Sequence, residues 1–222
     1  MAGRGFSLHV AVNSPFPQVF PSLAPIRGCD AAARAMADIA RAERFADVRL
    51  HLDRQDTRVD VVAAWFAGIA SVASAGDLVV FTFAGHGIRV NIAHRPSRAS
   101  ALACADGAIA GTTLHAWLAA FRRGVRVVLI VDACYSGGLL SGAVPVAADV
   151  LLLAASRGDR TAPAAGRGDT SPPFSRTLIV QWNAGNGSIA GGYVRWCEAA
   201  GGVLDAMLPN DRALGAQAPF RI

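Results

Sequence analysis

The sequence predicts a single α/β domain with a mainly parallel central sheet covered by helices on both faces, and three observations carry that expectation. Short, largely apolar and β-branched runs recur at residues 78–83, 126–131 and 150–155, the pattern of strands buried on both faces. Segments with helical spacing lie between such runs, and parallel neighbours need crossovers of that kind. The chain has 222 residues and is 53% hydrophobic, enough to bury a sizeable core.

Each element follows in order. Residues 8–12 are a short apolar run closed by Asn13, Ser14 and Pro15, which predicts a buried strand and then a long proline-bearing loop. Over residues 30–45, Ala33, Met36, Ala37, Ile39 and Ala40 share one helical face while Arg34, Asp38, Arg41 and Glu43 mark the wet side. Asp30 is the expected N-cap. Val48, Leu50 and Leu52 alternate with Arg49, His51 and Asp53, predicting a strand with one covered face. A second helix is expected over 58–74, and Asp77 opens the buried strand at 78–83. Residues 88–106 lack a clear period and read as a surface loop. A helix capped by Thr112 runs to Phe121, followed by the strands at 126–131 and 150–155. Residues 163–173, rich in Gly, Pro and Arg, predict a loop. Residues 174–182 and 189–199 read as helices and 217–222 as a closing edge strand.

Charge and cysteine usage exclude several function classes. The formal charge is +5, yet every basic residue other than histidine is arginine, scattered singly or in short doublets such as Arg122 and Arg123. Nucleic-acid binders concentrate charge on one element, so no nucleic-acid partner is expected. Cys29, Cys104, Cys134 and Cys197 lie far apart with no Cys-x-x-Cys pair, which argues against a metal site or a disulfide framework. The N-terminal residues lack a signal peptide's apolar stretch. The apolar region 125–155 is broken by Arg126, Asp132 and Asp149, so no membrane span is expected. The expected location is cytoplasmic.

The chemistry concentrates at two strand ends. In an open parallel sheet, reactive groups gather where strands finish at their carboxyl ends. His86 follows the run ending at Phe83, and Cys134 follows the run ending at Val131, so both can project from one sheet edge. A thiol is weakly ionised near neutral pH and becomes a useful nucleophile when an imidazole takes its proton. The amides of Gly87 and Cys134 are the candidate oxyanion donors. Asp132 lies two residues before Cys134, so extended geometry sends both side chains to the same side. Its carboxylate then either pairs with a substrate guanidinium or caps a loop by accepting from backbone amides. His9, His51, His94 and His115 have no such company and read as structural, as do Cys104 and Cys197. Ser136 lacks a Gly-x-Ser-x-Gly elbow, which disfavours a serine hydrolase.

The segments Phe83-Ala84-Gly85-His86-Gly87 and Asp132-Ala133-Cys134-Tyr135-Ser136-Gly137 resemble the paired motifs of the caspase and metacaspase superfamily. His86 precedes Cys134 by about 50 residues, the separation typical of caspases. Weaker likenesses extend over nearly the whole chain, at Arg27-Gly28-Cys29, Ala154-Ala155-Ser156 and Gln217-Ala218-Pro219. The resemblance implies a caspase-like fold, with residues 1–149 as the large-subunit-like part and 150–222 as the small-subunit-like part.

It also implies a cysteine endopeptidase acting on a protein or peptide through the His86–Cys134 dyad, with no required cofactor and calcium as a candidate activator. Metacaspase relatives use an acidic pocket for P1 arginine or lysine. Asp132 fits that pocket, and Asp30 and Cys29 belong to the neighbouring segment. Ala32 and Ala84 stand where an aspartate and a serine are expected, which weakens the basic-P1 inference. A non-basic P1 preference, or a catalytically silent binding module, stays open. Bacterial members of the superfamily act in regulated stress, cell-death or phage-defence roles. With no stretch left for a sensor domain, the switch is expected in a sensor or activating partner protein, an ion or a proteolytic cut. Residues 135–149 hold no arginine or lysine, so self-processing is expected around Arg157, Arg160 and Arg167 or between Arg89 and Arg98.

Overall fold

The protein was analysed as a computed structural model that describes residues 3–91, 98–166, 168–185, 191–207 and 214–222. Strand β1 (Gly5–Ala11) leads to helix α1 (Cys29–Ala42), strand β2 (Asp47–His51), helix α2 (Val59–Val72) and strand β3 (Leu78–Ala84). Three short strands follow, β4 (Gly87–Asn91), β5 (Arg98–Ala103) and β6 (Ala108–Ala110), then helix α3 (Gly111–Leu118) and strand β7 (Arg126–Asp132). Strand β8 (Asp149–Ala154), helices α4 (Pro173–Gly185) and α5 (Gly192–Ala199) and strand β9 (Val203–Met207) complete the chain order.

Six of these strands form the central sheet in the order β2-β1-β3-β7-β8-β9. Every neighbouring pair is parallel except the last, where β9 runs antiparallel to β8. Strands β1, β3 and β8 are buried throughout, and β7 is buried from Val127 onward, because helices cover both faces. Alternation along the strands sorts their side chains into two cores. On one face Leu8, Phe81, Leu129 and Leu152 meet Val62 and Phe66 of α2 and Leu114 and Leu118 of α3. On the other, Val80, Ile130 and Leu153 meet Met36 of α1, Leu178 and Trp182 of α4, and Trp196 of α5. Each large apolar side chain so buried contributes about 1.5–3 kcal/mol. The half-covered β2 is the sheet edge beside β1, as its alternation requires. The expected architecture is therefore present, with β3 and β7 side by side at its centre.

Four sequence expectations need correction. The described residues of the expected loop at 88–106 are largely strand: β4, β5 and β6 make a separate three-stranded antiparallel sheet. Its middle strand reads Arg-Ala-Ser-Ala-Leu-Ala, and alanine carries little β-propensity, so burial rather than composition makes the strand. Asp30 is not the N-cap of α1; that position is Gly28, at φ 80, and Asp30 sits in the first turn. Thr112 likewise lies inside α3, whose N-cap is Ala110. The closing strand is β9, and no strand is formed at 217–222. Residues 189–190 of the expected last helix, together with His94 and Arg167, lie outside the described residues. No helix among the described residues is long and apolar enough to cross a membrane.

Candidate active site

Parallel pairing of β3 with β7 places Ala84 directly beside Asp132. His86 and Cys134 each follow their paired residue by two positions, so the two side chains leave the sheet at one edge. Backbone bonds fix this edge: Val12 N–H donates to Ala84 O over 2.9 Å and Gly85 N–H to Asp132 O over 3.2 Å. His86, Cys134, Cys29 and Asp132 all line a single small pocket.

The turn after Cys134 is sharp. Tyr135 adopts φ 59, a left-handed conformation unusual for a bulky residue, and a short 3-10 turn at Ser136–Gly138 follows. Gly87 answers this turn from the histidine side. A Cβ at Gly87 would stand 1.7 Å from Cys134 O, so only glycine lets the start of β4 pass against the Cys134 peptide. The space beside Gly87 is thus filled by the Cys134 backbone.

His86 is oriented by a group the sequence does not advertise. Its Nε2 lies 2.6 Å from Ala24 O in the loop after β1. A carbonyl only accepts, so Nε2 carries the proton and Nδ1 is left as the basic nitrogen. The Cys134 sulfur is covered from another direction, where Ala162 N–H donates to Sγ over 3.3 Å and Tyr135 N–H donates to Arg160 O over 2.8 Å. Ala162, Pro163 and Ala164 therefore form one wall of the pocket, together with Pro172. With that wall in place the cavity measures about 40 Å³, room for water rather than for an arginine side chain.

Asp132 is 4% exposed. Its Oδ2 accepts the Ser175 N–H over 2.7 Å in the first turn of α4, so it supplies an acceptor to one of that helix's unpaired amides. Burial raises the Asp132 pKa above the ordinary carboxylate value, against the opposing pull of the Ser175 hydrogen bonds. The capping role expected as one alternative is thus present, and Asp132 still borders the pocket. Cys29 is fully buried. Its thiol is pushed up to about 12 by burial and by the nearby charges of Asp132 and Asp30, so it is a neutral wall and no second nucleophile. Asp30 does not line the pocket: its carboxylate accepts Asn13 Nδ2–H over 2.9 Å, while Asn13 Oδ1 accepts Cys29 N–H over 3.0 Å.

Cys104 and Cys197 are buried thiols, each raised to about 12 chiefly by burial. Among the described residues no three His, Cys, Asp or Glu side chains gather as a metal site.

The profile of the caspase domain family matches residues 13–190, a span that includes His86 and Cys134. The solved structure of protein GSU0716 from Geobacter sulfurreducens is similar over 99% of this chain and 99% of its own, with a TM-score of 0.82 and 20% sequence identity. At that identity the likeness speaks to the fold. No curated protein matches the chain in sequence.

Proposed function

Because the chain belongs to the caspase domain family, a family of cysteine peptidases, we propose that it hydrolyses peptide bonds through Cys134 and His86. The carrying observation is their shared pocket at the paired ends of β3 and β7, with the His86 ring held by Ala24. His86 Nδ1 takes the thiol proton as Sγ attacks the scissile carbonyl carbon. The developing oxyanion is received by the amides of Gly87 and Cys134. The carbon–nitrogen bond then breaks, His86 gives its proton to the departing amine, and a thioester remains on Cys134. Water, deprotonated by His86, attacks the thioester and releases the new carboxyl end.

The proposed preference is for arginine or lysine at P1. Asp132 borders the pocket while its Oδ2 holds the Ser175 amide, and its carboxylate is the proposed partner of a guanidinium. Cys29 walls the pocket beside it, and Asp30 adds negative charge nearby through its influence on Cys29. Substrate entry requires residues 162–164 to move off Cys134. A regulated bacterial role in stress, cell death or defence, a cytoplasmic location, a regulatory partner protein and activation by calcium are part of the same proposal.

The test is covalent labelling. A chloromethyl ketone on an arginyl peptide, with and without calcium, should add one label at Cys134 by intact mass and peptide mapping. Label elsewhere, or equal label in the His86→Ala protein, contradicts the proposal.

A further inference from the structure

We infer that a second cavity, beside the dyad but sharing no lining residue with it, binds a phosphate-bearing small molecule. The cavity measures about 420 Å³, and Arg89, Arg98, Ser100, Thr112, His115 and Ser141 supply its polar lining. No aspartate or glutamate lines it. That volume suits a ligand of nucleotide size and exceeds what one peptide side chain fills.

The hairpin gathers the charged groups. Pairing of β4 with β5 sets Arg89 opposite Ser100, and Arg98 stands two residues earlier on β5, so alternation sends all three side chains to one face. Arg89 donates from Nη2 to Arg98 O over 3.1 Å and lies over the Tyr135 ring at 6.0 Å. Neither arginine forms an ion pair among the described residues.

Ser100 adds a hydroxyl to the lining. It is 6% exposed, and its hydroxyl has no hydrogen bond among the described residues. That hydroxyl opens on the cavity and is available to a molecule bound there. Gly138 keeps that hydroxyl clear, since a Cβ there would lie 2.3 Å from Ser100 Oγ. Helix α3 begins at the cavity with Gly111 and Thr112, with no side-chain cap and no acidic residue in its first turn. Two guanidiniums, two hydroxyls and an uncapped helix start together form a donor set matched to phosphate oxygens. Residues 138–144, which follow the turn after Cys134, supply another wall, so a bound ligand would touch the nucleophile's own loop.

The test does not depend on peptidase activity. Calorimetry on the full-length Cys134→Ala protein would use inorganic pyrophosphate and ADP as probes, with adenosine and tetraglutamate as comparators. Saturable binding of ADP and pyrophosphate that weakens with added salt is expected, with none for adenosine. Arg98→Ala should weaken ADP about tenfold or more, and Thr112→Val several-fold. Arg98→Ala keeps the backbone carbonyl that Arg89 bonds, and Thr112 takes no part in that contact, so neither substitution removes the Arg89–Arg98 bond. No saturable binding of either phosphate compound overturns the inference. Equal binding of adenosine, unchanged ADP affinity in folded Arg98→Ala, or binding of tetraglutamate alone also overturns it.

Discussion

Ala162 N–H donates to Cys134 Sγ over 3.3 Å, so the strand-to-helix segment after β8 rests on the proposed nucleophile. The same residue's carbonyl lies 3.9 Å from Sγ. Both contacts must break before a substrate carbonyl reaches the sulfur.

Replacing residues 161–164 with Gly-Gly-Ser-Gly should therefore raise the alkylation rate of Cys134 by iodoacetamide several-fold. In both proteins the label should stay at one equivalent, because Cys29, Cys104 and Cys197 are buried thiols held near 12. Equal rates would show that this segment does not shield the sulfur.

Asp132→Asn should reduce kcat/KM after arginine by about 10- to 150-fold, the loss of a charge-assisted pair worth about 1.5–3 kcal/mol. The pH profile gives a second readout. Burial raises the Asp132 pKa, so on acidification the carboxylate protonates earlier than an exposed one would. Cleavage after arginine should then fall at a higher pH than an ordinary aspartate predicts, and cleavage after a neutral residue should lack that step. An unchanged arginine preference in Asp132→Asn would leave the residue with its Ser175 contact alone.

His9 makes stability pH-dependent for a reason unrelated to catalysis. Burial, with a smaller effect from Arg41, lowers its pKa to about 3, and Nδ1 lies 2.9 Å from Thr82 Oγ1. The unfolded chain takes up this proton near pH 6.5 while the folded one does not until about pH 3. Between those values the unfolded state binds more protons, so stability falls as pH falls, by up to about 1.4 kcal/mol per pH unit. Urea melts from pH 7 to pH 4 should show a shallower decline for His9→Asn than for the wild type. Parallel curves would contradict this.

Self-processing, where it occurs, should fall beside Arg157 or Arg160, both exposed, and leave residues 135–149 uncut. Fragment termini by mass spectrometry, compared with Cys134→Ala, read this directly. A Cys134-dependent cut within 135–149 would refute it.

That His86 and Cys134 share one sheet edge was legible in the sequence because β3 and β7 are long apolar runs with marked ends, and because parallel neighbours finish at the same edge. The fold was legible for the same reason. What holds these two side chains was not. His86 is oriented by Ala24 O and Cys134 is covered by Ala162 N–H, and a backbone group carries no residue-type signature. The β5 strand was hidden by its alanines. Strand β9 was hidden because Asp205 interrupts an otherwise apolar stretch at a partly covered edge. The dual position of Asp132, at the pocket and at the start of α4, needed the fold to bring Ser175 beside it.

The most direct test of the account is peptide-library cleavage by wild-type, Cys134→Ala and His86→Ala proteins, each shown folded by circular dichroism. The account predicts cleavage by the wild type, none above background for Cys134→Ala, and a loss of about 10²- to 10⁴-fold for His86→Ala. Cleavage near the wild-type rate by either folded variant would contradict it.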